Sequence, residues 1–364
     1  MLKSEEKIRY DRHLKLPNFG LEGQLALRAA RVLVVGAGGL GCPVLQYLTA
    51  AGVGTIGIVD GDRVSLSNLQ RQVLYGRAEL GQCKVDAAAA QLHNLNANVK
   101  TELHAVHLTT DNALDIIKPY DLVVDATDNF PTRYLVNDAC VLLDKPCVYG
   151  SIYRFEGQVS VFNAQLADGK RSPNYRDLYP TPPPPAQVPN CAEGGVLGVL
   201  PGIIGAMQAN EAIKILSGIG ELLAGKLWVF DAAYGQVRTF RYRIRSTTNI
   251  AQLIDYEQFC GVPKQEAVPS VDVITLRSLS SESYHLLDVR TASEVQLDQL
   301  GGQHIPLDEL PSRIGEIAGL RPLIVLCQSG QRSNRAVQLL QAEGLQEVYN
   351  LEGGLNAYRE HEIK

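Results

Sequence analysis

The feature that most constrains the fold of this chain is a cluster of glycines between an apolar run and a helical one. Arg31–Val35 is largely apolar and β-branched, Leu40–Ala51 follows with helical spacing, and Thr55–Val59 is a second apolar run that ends at Asp60. This order predicts a βαβ unit, in which a glycine turn lets phosphate oxygens approach the backbone at a helix N-terminus. The glycines are Gly36, Gly38, Gly39 and Gly41.

The α/β alternation continues along the chain and predicts two domains. We expect a largely parallel sheet with helices on both faces over residues 1–245. Residues 246–270 are predicted to be a linker with one short helix, and residues 271–364 return to α/β alternation in a smaller domain. Further elements predicted for the first domain are a helix near 82–94 and strands near 101–106 and 121–125.

The composition argues against several classes of protein. With 45% hydrophobic and 20% charged residues, the chain is typical of a soluble globular protein. A formal net charge of −5 gives no basic field that would attract nucleic acid. Apolar stretches fall far short of the ~20 residues of a membrane helix, and the charged N-terminus lacks a signal core. Seven cysteines in such a chain indicate reduced thiols, so we expect a cytoplasmic protein without nucleic-acid or membrane partners.

The glycine turn and Asp60, which can accept hydrogen bonds from ribose hydroxyls, are compatible with NAD and with ATP alike. Arg71 and Lys84 favour ATP, because attack on its α-phosphate requires cations to stabilise the reacting centre and the leaving pyrophosphate. Asp128, just past an apolar strand, supplies a carboxylate suited to Mg²⁺. The residues that we assign to the nucleotide site are Gly36, Gly38, Gly39, Gly41, Asp60, Asp62, Ser67, Asn68, Arg71, Gln72, Lys84, Asp128 and Asn129.

Six motifs of the first domain together resemble the MoeB/ThiF family, relatives of the ubiquitin-activating enzymes. They are GAGGLG, SNLQRQ, GQCKVDAA, DATDN-PTRY, RFEGQ and NCAEGGVLG, between roughly Tyr10 and Tyr242. The resemblance implies a Rossmann-like domain that adenylates the C-terminal Gly-Gly of a ubiquitin-like sulfur carrier with ATP. It also implies that ATP or its metal contacts Gly39, Gly41, Asp60, Asn68, Arg71, Lys84 and Asp128.

The same resemblance implies roles for two residues outside the nucleotide motifs. Arg12, in RYDRH, matches an arginine that reaches the phosphates from the other subunit of a dimer, so a homodimer is expected. Cys191 follows a proline-rich segment and matches a cysteine of the thioester or acyl-persulfide steps. The alternative for Cys191 is a small buried residue, since free cysteine is often buried.

One departure from the family concerns a structural zinc site. Members of the family usually carry two CxxC pairs that bind zinc. In this chain Asn174 and Asp177 stand at the first pair, and Arg245–Ala251 contains no second pair. We therefore expect no structural zinc.

A cysteine at the end of a strand marks the second domain. Cys327 ends an apolar run and precedes QSGQRS and a helical segment, so backbone N–H groups and the helix N-terminus can stabilise a thiolate or a persulfide. Together with DVR and EGGLNAY, this arrangement resembles the single-domain rhodanese fold over about Val271–Tyr358. Four residues separate Cys327 from Arg332, whereas related phosphatase loops are one residue longer. The spacing favours sulfur transfer over phosphate hydrolysis.

The two halves together predict one reaction sequence. The first domain would form the acyl-adenylate of the carrier, and a Cys327 persulfide would attack it, directly or through Cys191, to give the thiocarboxylate. Molybdopterin biosynthesis is the preferred pathway, with carriers for thiamine, cysteine or tRNA thiolation as alternatives, and the sulfur donor is thiosulfate or a cysteine desulfurase. The competing hypotheses are an NAD-dependent oxidoreductase fused to a rhodanese domain and a non-catalytic binding module.

Overall fold

A computed structural model describes residues 1–183, 195–245, 249–261, 268–317, 319 and 322–362, and it divides the chain into two units, Met1–Val262 and Pro263–Lys364. Cys191 lies outside the described residues. In the part of the chain that is described, no helix has the length and apolar character needed to cross a membrane.

The first unit contains an eight-stranded sheet in the order β3-β2-β1-β4-β5-β6-β7-β8. β1 to β5 pair in parallel, and the pairs β5–β6, β6–β7 and β7–β8 are antiparallel, so the expectation of a mostly parallel sheet is confirmed. The strands are β1 Arg31–Val35, β2 Thr55–Val59, β3 Lys100–His104, β4 Leu122–Asp125, β5 Cys147–Tyr153, β6 Glu156–Phe162, β7 Lys226–Asp231 and β8 Gln236–Arg241.

Helices cover both faces of this sheet because the strands are apolar on both faces. Val32 and Val34 of β1 belong to one core cluster, and Leu33 and Val35 belong to the other, as the period of two along a strand requires. The helices of the first unit are α1 Ser4–Arg9, α2 Asp11–Leu14, α3 Gly20–Ala29, α4 Gly41–Ala51, α5 Lys84–Leu95, α6 Ala113–Ile117, α7 Phe130–Leu142, α8 Tyr175–Leu178, α9 Leu200–Ser217 and α10 Tyr256–Phe259.

Part of the segment predicted as a linker packs on the first unit. The hydroxyl of Tyr256, in α10, donates to Oδ2 of Asp138 in α7 at 2.8 Å. Arg176 of α8 also donates to the Asp138 carboxylate, with Nη2 2.7 Å from Oδ2. Tyr256 is buried and belongs to the core cluster on that face of the sheet. The chain therefore continues as part of the first unit beyond residue 245.

The second unit contains a five-stranded sheet whose pairs are all parallel, in the order β11-β10-β12-β13-β9. Its strands are β9 Ser270–Val271, β10 His285–Asp288, β11 Gln303–His304, β12 Leu323–Leu326 and β13 Val348–Leu351. Its helices are α11 Val273–Ser278, α12 Ala292–Leu297, α13 Leu310–Arg313, α14 Gln331–Ala342 and α15 Gly354–Glu362. This is the small α/β domain that the sequence predicts.

Candidate active sites

The four glycines of the turn between β1 and α4 differ in how closely their surroundings approach them. A Cβ on Gly36, whose φ is +96°, would lie 2.7 Å from the carbonyl oxygen of Ala126, and one on Gly41 would lie 2.0 Å from the carbonyl oxygen of Gly36. Gly36, Gly38 and Gly39 line a cavity; a Cβ on Gly38 would lie 3.6 Å from Gln72 Nε2, and one on Gly39 would lie 3.1 Å from the Cβ of Pro201. Gly36 and Gly41 are therefore needed for close packing, Gly39 fits tightly beside Pro201, and Gly38 leaves room for a ligand.

The cavity lies at the carboxyl ends of the parallel strands, where the strand order reverses between β1 and β4. Ligands of open α/β sheets bind in the crevice at this point. The structure brings together there Gly36, Gly38, Gly39, Asp60, Asp62, Arg71, Gln72, Lys84, Asp128 and Asn129.

Four predicted site residues do not line the cavity. Gly41 lies in the helix start behind the turn, and Arg12 is exposed on α2. Asn68 accepts a hydrogen bond from the backbone N–H of Ser65 at 3.3 Å, and the carbonyl oxygen of Ser67 accepts one from Arg71 Nη1 at 3.0 Å. Ser67 and Asn68 therefore contribute to the turn that carries Arg71.

The acidic and basic side chains of the cavity hold one another in place. Oδ2 of Asp60 accepts from the backbone N–H of Ala37, and Oδ1 accepts from that of Asp62, both at 2.8 Å. The Lys84 Nζ lies 2.8 Å from Asp62 Oδ2 and 3.8 Å from Asp60 Oδ2. Only 6% of the Lys84 side chain is exposed, so its charge acts inside the cavity, where solvent screens it weakly.

The loop that carries Asp128 is held by two buried charges beneath it. Asp125 Oδ1 accepts from the backbone N–H of Thr127 at 3.0 Å and from its hydroxyl at 2.6 Å. Arg133 Nη2 donates to the carbonyl oxygen of Thr127 at 2.9 Å. Burial raises the pKa of Asp125, and the positive charge of Arg133 opposes that shift. Three hydrogen bonds therefore fix the residue before Asp128.

Asn129, the neighbour of Asp128, caps a helix. Its Oδ1 accepts a hydrogen bond from the backbone N–H of Thr132 at 2.9 Å and so caps the N-terminus of α7. Asn129 therefore lines the cavity at the point where α7 begins.

Several residues that line the cavity were not predicted from the sequence, because only the strand order brings them to this crevice. Val106, His107 and Leu108 follow β3, and Ile152 lies in β5. The carboxyl ends of parallel strands meet at one edge of a sheet, so a known strand order would have indicated residues 106–108.

The residues present fit a nucleotide and its metal. Gln72 is 4% exposed, and its buried Oε1 has no hydrogen-bond partner among the described residues. A buried polar atom of this kind is costly unless a ligand or water satisfies it. Asp128 is an exposed carboxylate at the same cavity, and Mg²⁺ in nucleotide sites needs one or two carboxylates beside the phosphates.

The second site is the turn between β12 and α14. The Cys327 side chain is fully buried, and its Sγ accepts hydrogen bonds from the backbone N–H of Gly330 at 3.2 Å and from the hydroxyl of Ser333 at 3.3 Å. The sulfur lies before the N-terminus of the 12-residue helix α14, whose dipole favours negative charge there. Ser333 was not among the predicted residues, although it follows Arg332 directly.

Arg332 contacts a carboxylate of another helix. The helix begins at Gln331, three residues before the predicted start, so Arg332 lies in its first turn. Its Nη1 and Nη2 donate to Glu294 Oε2 and Oε1 at 2.8 and 2.6 Å. These hydrogen bonds hold the pKa of Glu294 at about 2.

The motif EGGLNAY forms the other wall of the Cys327 turn. The backbone N–H of Leu355 donates to the carbonyl oxygen of Cys327 at 2.9 Å, and that of Asn356 donates to the carbonyl oxygen of Gln328 at 3.0 Å. The DVR motif supports the same turn, since Arg290 pairs with Asp288 and its Nη1 lies 3.2 Å from Gln328 Oε1. The EGGLNAY motif therefore fixes the backbone around Cys327, and the DVR motif holds the side chain of Gln328.

Gly354 packs against this turn closely enough to be tested by substitution. Its φ is +59°, and a Cβ would lie 2.3 Å from the carbonyl oxygen of Cys327. Because a displacement of about 1 Å at a reacting group costs roughly a hundredfold in rate, we expect Gly354→Ala to lower sulfurtransferase activity about 100-fold. Gly315→Ala is the control, since nothing lies within 4 Å of a Cβ there. Equal activity of the two variants in a sulfurtransferase assay would contradict the expectation.

Comparison with known proteins identifies both units. The ThiF family model matches residues 10–250, and the rhodanese-like domain model matches residues 275–361. The chain belongs to the ThiF family.

Individual relatives of this ThiF-family chain are named as both adenylyltransferases and sulfurtransferases. The "Probable adenylyltransferase/sulfurtransferase MoeZ" of Mycobacterium tuberculosis is 47% identical over 368 residues, which cover 98% of this chain and 94% of the relative. The "Adenylyltransferase and sulfurtransferase MOCS3-1" of Zea mays is 43% identical over 98% of this chain and 82% of the relative. The chain is therefore an enzyme, an adenylyltransferase and sulfurtransferase.

One further relative and one solved structure each match about two thirds of the chain or somewhat more. The "Sulfur carrier protein adenylyltransferase" of Thermus thermophilus is 53% identical over 71% of this chain and 98% of the relative. The crystal structure of Escherichia coli MccB with ATP superposes with a TM-score of 0.58 at 20% identity, over 68% of this chain and 75% of MccB. The similarity to MccB concerns the fold alone.

In this ThiF-family chain, hydrogen bonds join Asn174 and Asp177 to Arg245, at the two places where the chain lacks pairs of cysteines. Asp177 is 2% exposed; its Oδ2 accepts from the backbone N–H of Asn174 at 2.8 Å, and its Oδ1 accepts from that of Arg245 at 2.7 Å. Arg245 Nε also donates to the carbonyl oxygen of Asp177 at 2.8 Å. Among the described residues, no group of three or more His, Cys, Asp and Glu side chains could hold a metal ion.

We expect Asp177→Ala to destabilise the first unit by about 1–3 kcal/mol, because it removes a buried carboxylate that accepts from the backbone N–H groups of Asn174 and Arg245. Thermal unfolding with and without EDTA measures the effect, and the chelator should leave both transitions unchanged. Asp168→Ala is the control, since that side chain is largely exposed. An equal, small shift for both variants would show that the Asp177 contacts contribute little.

Proposed function

We propose that this enzyme adenylates the C-terminal Gly-Gly carboxylate of a ubiquitin-like sulfur carrier and converts it to a thiocarboxylate with sulfur from a Cys327 persulfide. The observation that carries the proposal is that one chain contains both a nucleotide cavity lined by Arg71 and Lys84 and a turn that surrounds the Cys327 sulfur. The sulfur-carrier adenylyltransferase of Thermus thermophilus supports the choice of substrate.

The nucleotide cavity supplies the groups that adenylation needs. Asp60, which the backbone N–H groups of Ala37 and Asp62 hold in the cavity, would accept from the ribose hydroxyls, and Gly38 leaves room for the phosphates. Asp128 would hold Mg²⁺, which neutralises phosphate charge. Lys84 and Arg71 stabilise the charge that develops on the α-phosphate and the departing pyrophosphate. The carrier carboxylate thereby gains AMP as a leaving group.

The Cys327 turn supplies the nucleophile. The Cys327 thiolate attacks the sulfane sulfur of a donor, and the donor fragment leaves with the electron pair. The terminal sulfur of the persulfide then attacks the acyl carbon, a C–S bond forms and AMP departs. An external thiol then attacks the Cys327 sulfur of the resulting acyl disulfide, the S–S bond breaks, and the thiocarboxylate leaves while Cys327 and the thiol are oxidised to a disulfide.

Several parts of this proposal rest on the family resemblance. Arg12 is exposed on α2, as an arginine that reaches a second subunit must be, and we propose a homodimer. Cys191 is proposed as the relay between persulfide and adenylate. We also propose a cytoplasmic enzyme without structural zinc, in keeping with seven cysteines of which the described ones are free thiols.

The proposed pathway is molybdopterin biosynthesis, supported by the nearly full-length similarity to MoeZ and MOCS3-1. Carriers of thiamine, cysteine or tRNA-thiolation pathways are the alternatives, because they end in the same Gly-Gly.

ATP–pyrophosphate exchange with each candidate Gly-Gly carrier tests the proposal. Exchange that appears with one carrier alone, and is lost when its last glycine is removed, would support adenylation and identify the pathway. Binding of ATP without exchange for any carrier would overturn the proposal for the first unit.

A further inference from the structure

The side chain of Tyr75 ends between two backbone carbonyl groups of the nucleotide site. Tyr75 is 6% exposed and belongs to the core cluster on one face of the larger sheet. Its hydroxyl donates to the carbonyl oxygen of Ala37 at 2.8 Å, and the carbonyl oxygen of Lys84 lies 3.3 Å from the same hydroxyl. Ala37 lies within the glycine turn, and Lys84 is the first residue of α5. One buried hydroxyl therefore joins the glycine turn to the start of the helix that carries the buried cation.

These two contacts complete a closed cycle of hydrogen bonds. The backbone N–H groups of Ala37 and Asp62 donate to the Asp60 carboxylate, both at 2.8 Å. The backbone N–H of Lys84 donates to the carbonyl oxygen of Asp62 at 3.0 Å, and Lys84 Nζ lies 2.8 Å from Asp62 Oδ2. Tyr75 then links Lys84 back to Ala37, so each of the five residues is held by its neighbours in the cycle.

Tyr75 also belongs to the segment that carries the second cation of the cavity. The backbone N–H of Tyr75 donates to the carbonyl oxygen of Gln72 at 3.1 Å, and the N–H of Gln72 donates to that of Asn68 at 2.9 Å. Arg71 and Gln72 both line the cavity. The glycine turn, the Arg71 segment and the start of α5 therefore meet at the side chain of Tyr75.

Of the two carbonyl groups, that of Ala37 depends more on Tyr75. The carbonyl oxygen of Lys84 opens a 12-residue helix, where it also accepts from the N–H four residues later. The carbonyl oxygen of Ala37 accepts from Cys42 Sγ at 3.6 Å, and a thiol is a weak donor. Loss of the Tyr75 hydroxyl would therefore loosen the glycine turn relative to Lys84.

We propose that Tyr75 is a positioning residue for adenylation, because its hydroxyl fixes the separation between the glycine turn and Lys84. The proposal rests on the adenylation role proposed above for this cavity. Lys84 acts on negative charge that develops during the reaction, so its placement affects the transition state more than the bound ground state. A looser arrangement lowers the rate of adenylation more than the affinity for ATP.

Tyr75→Phe tests this role, because it removes the hydroxyl and keeps the aromatic ring. We expect kcat of carrier-dependent ATP–pyrophosphate exchange in the full-length enzyme to fall about tenfold to 100-fold. The dissociation constant of ATP, measured by isothermal titration calorimetry, should change less than about threefold. This split between rate and affinity is a readout that a merely structural role would not give.

Tyr256→Phe is the matched control in the same unit. Tyr256 is 4% exposed, and its hydroxyl donates to the Asp138 carboxylate at 2.8 Å, outside the nucleotide cavity. Because hydrogen bonds to charged groups are the stronger ones, this variant should lower the unfolding temperature at least as much as Tyr75→Phe. It should nevertheless keep kcat within about twofold of the unmodified enzyme.

Hydrogen–deuterium exchange gives a measurement that needs no activity. In Tyr75→Phe, peptides that contain Ala37 or Lys84 should exchange about fivefold faster, because their contacts lose a shared hydrogen bond. The same peptides of Tyr256→Phe should exchange at the unmodified rate.

Three results would overturn the inference about Tyr75 alone. One is an unchanged kcat in Tyr75→Phe, another is an equal fall of kcat in both variants, and the third is a loss of ATP affinity as large as the loss of rate. If the unmodified enzyme binds ATP and shows no exchange with any carrier, the adenylation role fails and the role of Tyr75 fails with it.

Discussion

Asp128→Asn is expected to lower carrier-dependent ATP–pyrophosphate exchange about 100-fold to 1000-fold while leaving sulfurtransferase activity unchanged. Asp128 lines the nucleotide cavity, and the hydrogen bonds of Asp125 and Arg133 to Thr127 fix its backbone. Removing its negative charge weakens the hold on Mg²⁺, and the α-phosphate loses electrostatic stabilisation when charge develops there. Asparagine preserves the shape of the side chain, so the effect reports the charge.

The control for this substitution is Asp115→Asn, on the exposed surface of α6. Exchange should stay within about twofold in that variant, as for most surface substitutions. A Mg²⁺ titration separates two causes: if Asp128 holds the metal, high Mg²⁺ should restore part of the exchange. Full exchange in Asp128→Asn at low Mg²⁺ would remove Asp128 from the metal site.

The hydrophobic pattern of neighbouring segments was enough to predict where the nucleotide site and the Cys327 turn lie along the chain. The glycine turn, Asp60 and Lys84 lie within one βαβ unit and the helix that follows it, and the structure brings them to one cavity. Cys327 ends a strand and precedes a helix, and its Sγ indeed accepts a backbone N–H from the turn. Such features follow from strand ends and helix starts close in sequence, which hydrophobic periodicity predicts.

Contacts between distant segments could not be predicted in this way. Glu294 and Arg332 meet only because α12 and α14 both begin at the carboxyl edge of one sheet. Ile152 reaches the nucleotide cavity because β5 lies beside β4, and β5 itself was not predicted from the sequence. Strand order is set by packing across the whole unit, which periodicity along one segment does not report.

The boundary between the units shows the same limitation. The composition of residues 246–270 predicts a linker, yet Tyr256 is buried and donates to Asp138, which lies 118 positions earlier. Asp138 also binds Arg176, so α7, α8 and α10 meet at one carboxylate. A short apolar segment in a polar stretch is ambiguous until its partner is known, and that partner is distant in sequence.

Cys327→Ser is expected to abolish thiocarboxylate formation, by at least about 1000-fold, while ATP–pyrophosphate exchange continues at the unmodified rate. Cys327 is the one cysteine between residues 262 and 364, so no other thiol of the second domain can take its place. Serine can still accept from Gly330 and Ser333, which hold the sulfur at 3.2 and 3.3 Å, so the turn should keep its conformation. Without the Cys327 persulfide, no sulfur nucleophile of the second domain attacks the adenylated carrier.

Mass spectrometry of the carrier after incubation with ATP and a sulfur donor measures this effect. Cys83→Ser is the matched control: Cys83 is half-buried at the N-cap of α5, a position where serine is favoured, and this variant should form thiocarboxylate normally. Thiocarboxylate at the full rate in Cys327→Ser would mean that another cysteine receives the donor sulfur, with Cys191 the first to substitute next. Loss of both exchange and sulfur transfer would instead mean that the second domain is needed for adenylation, and the two reactions could no longer be assigned to separate units.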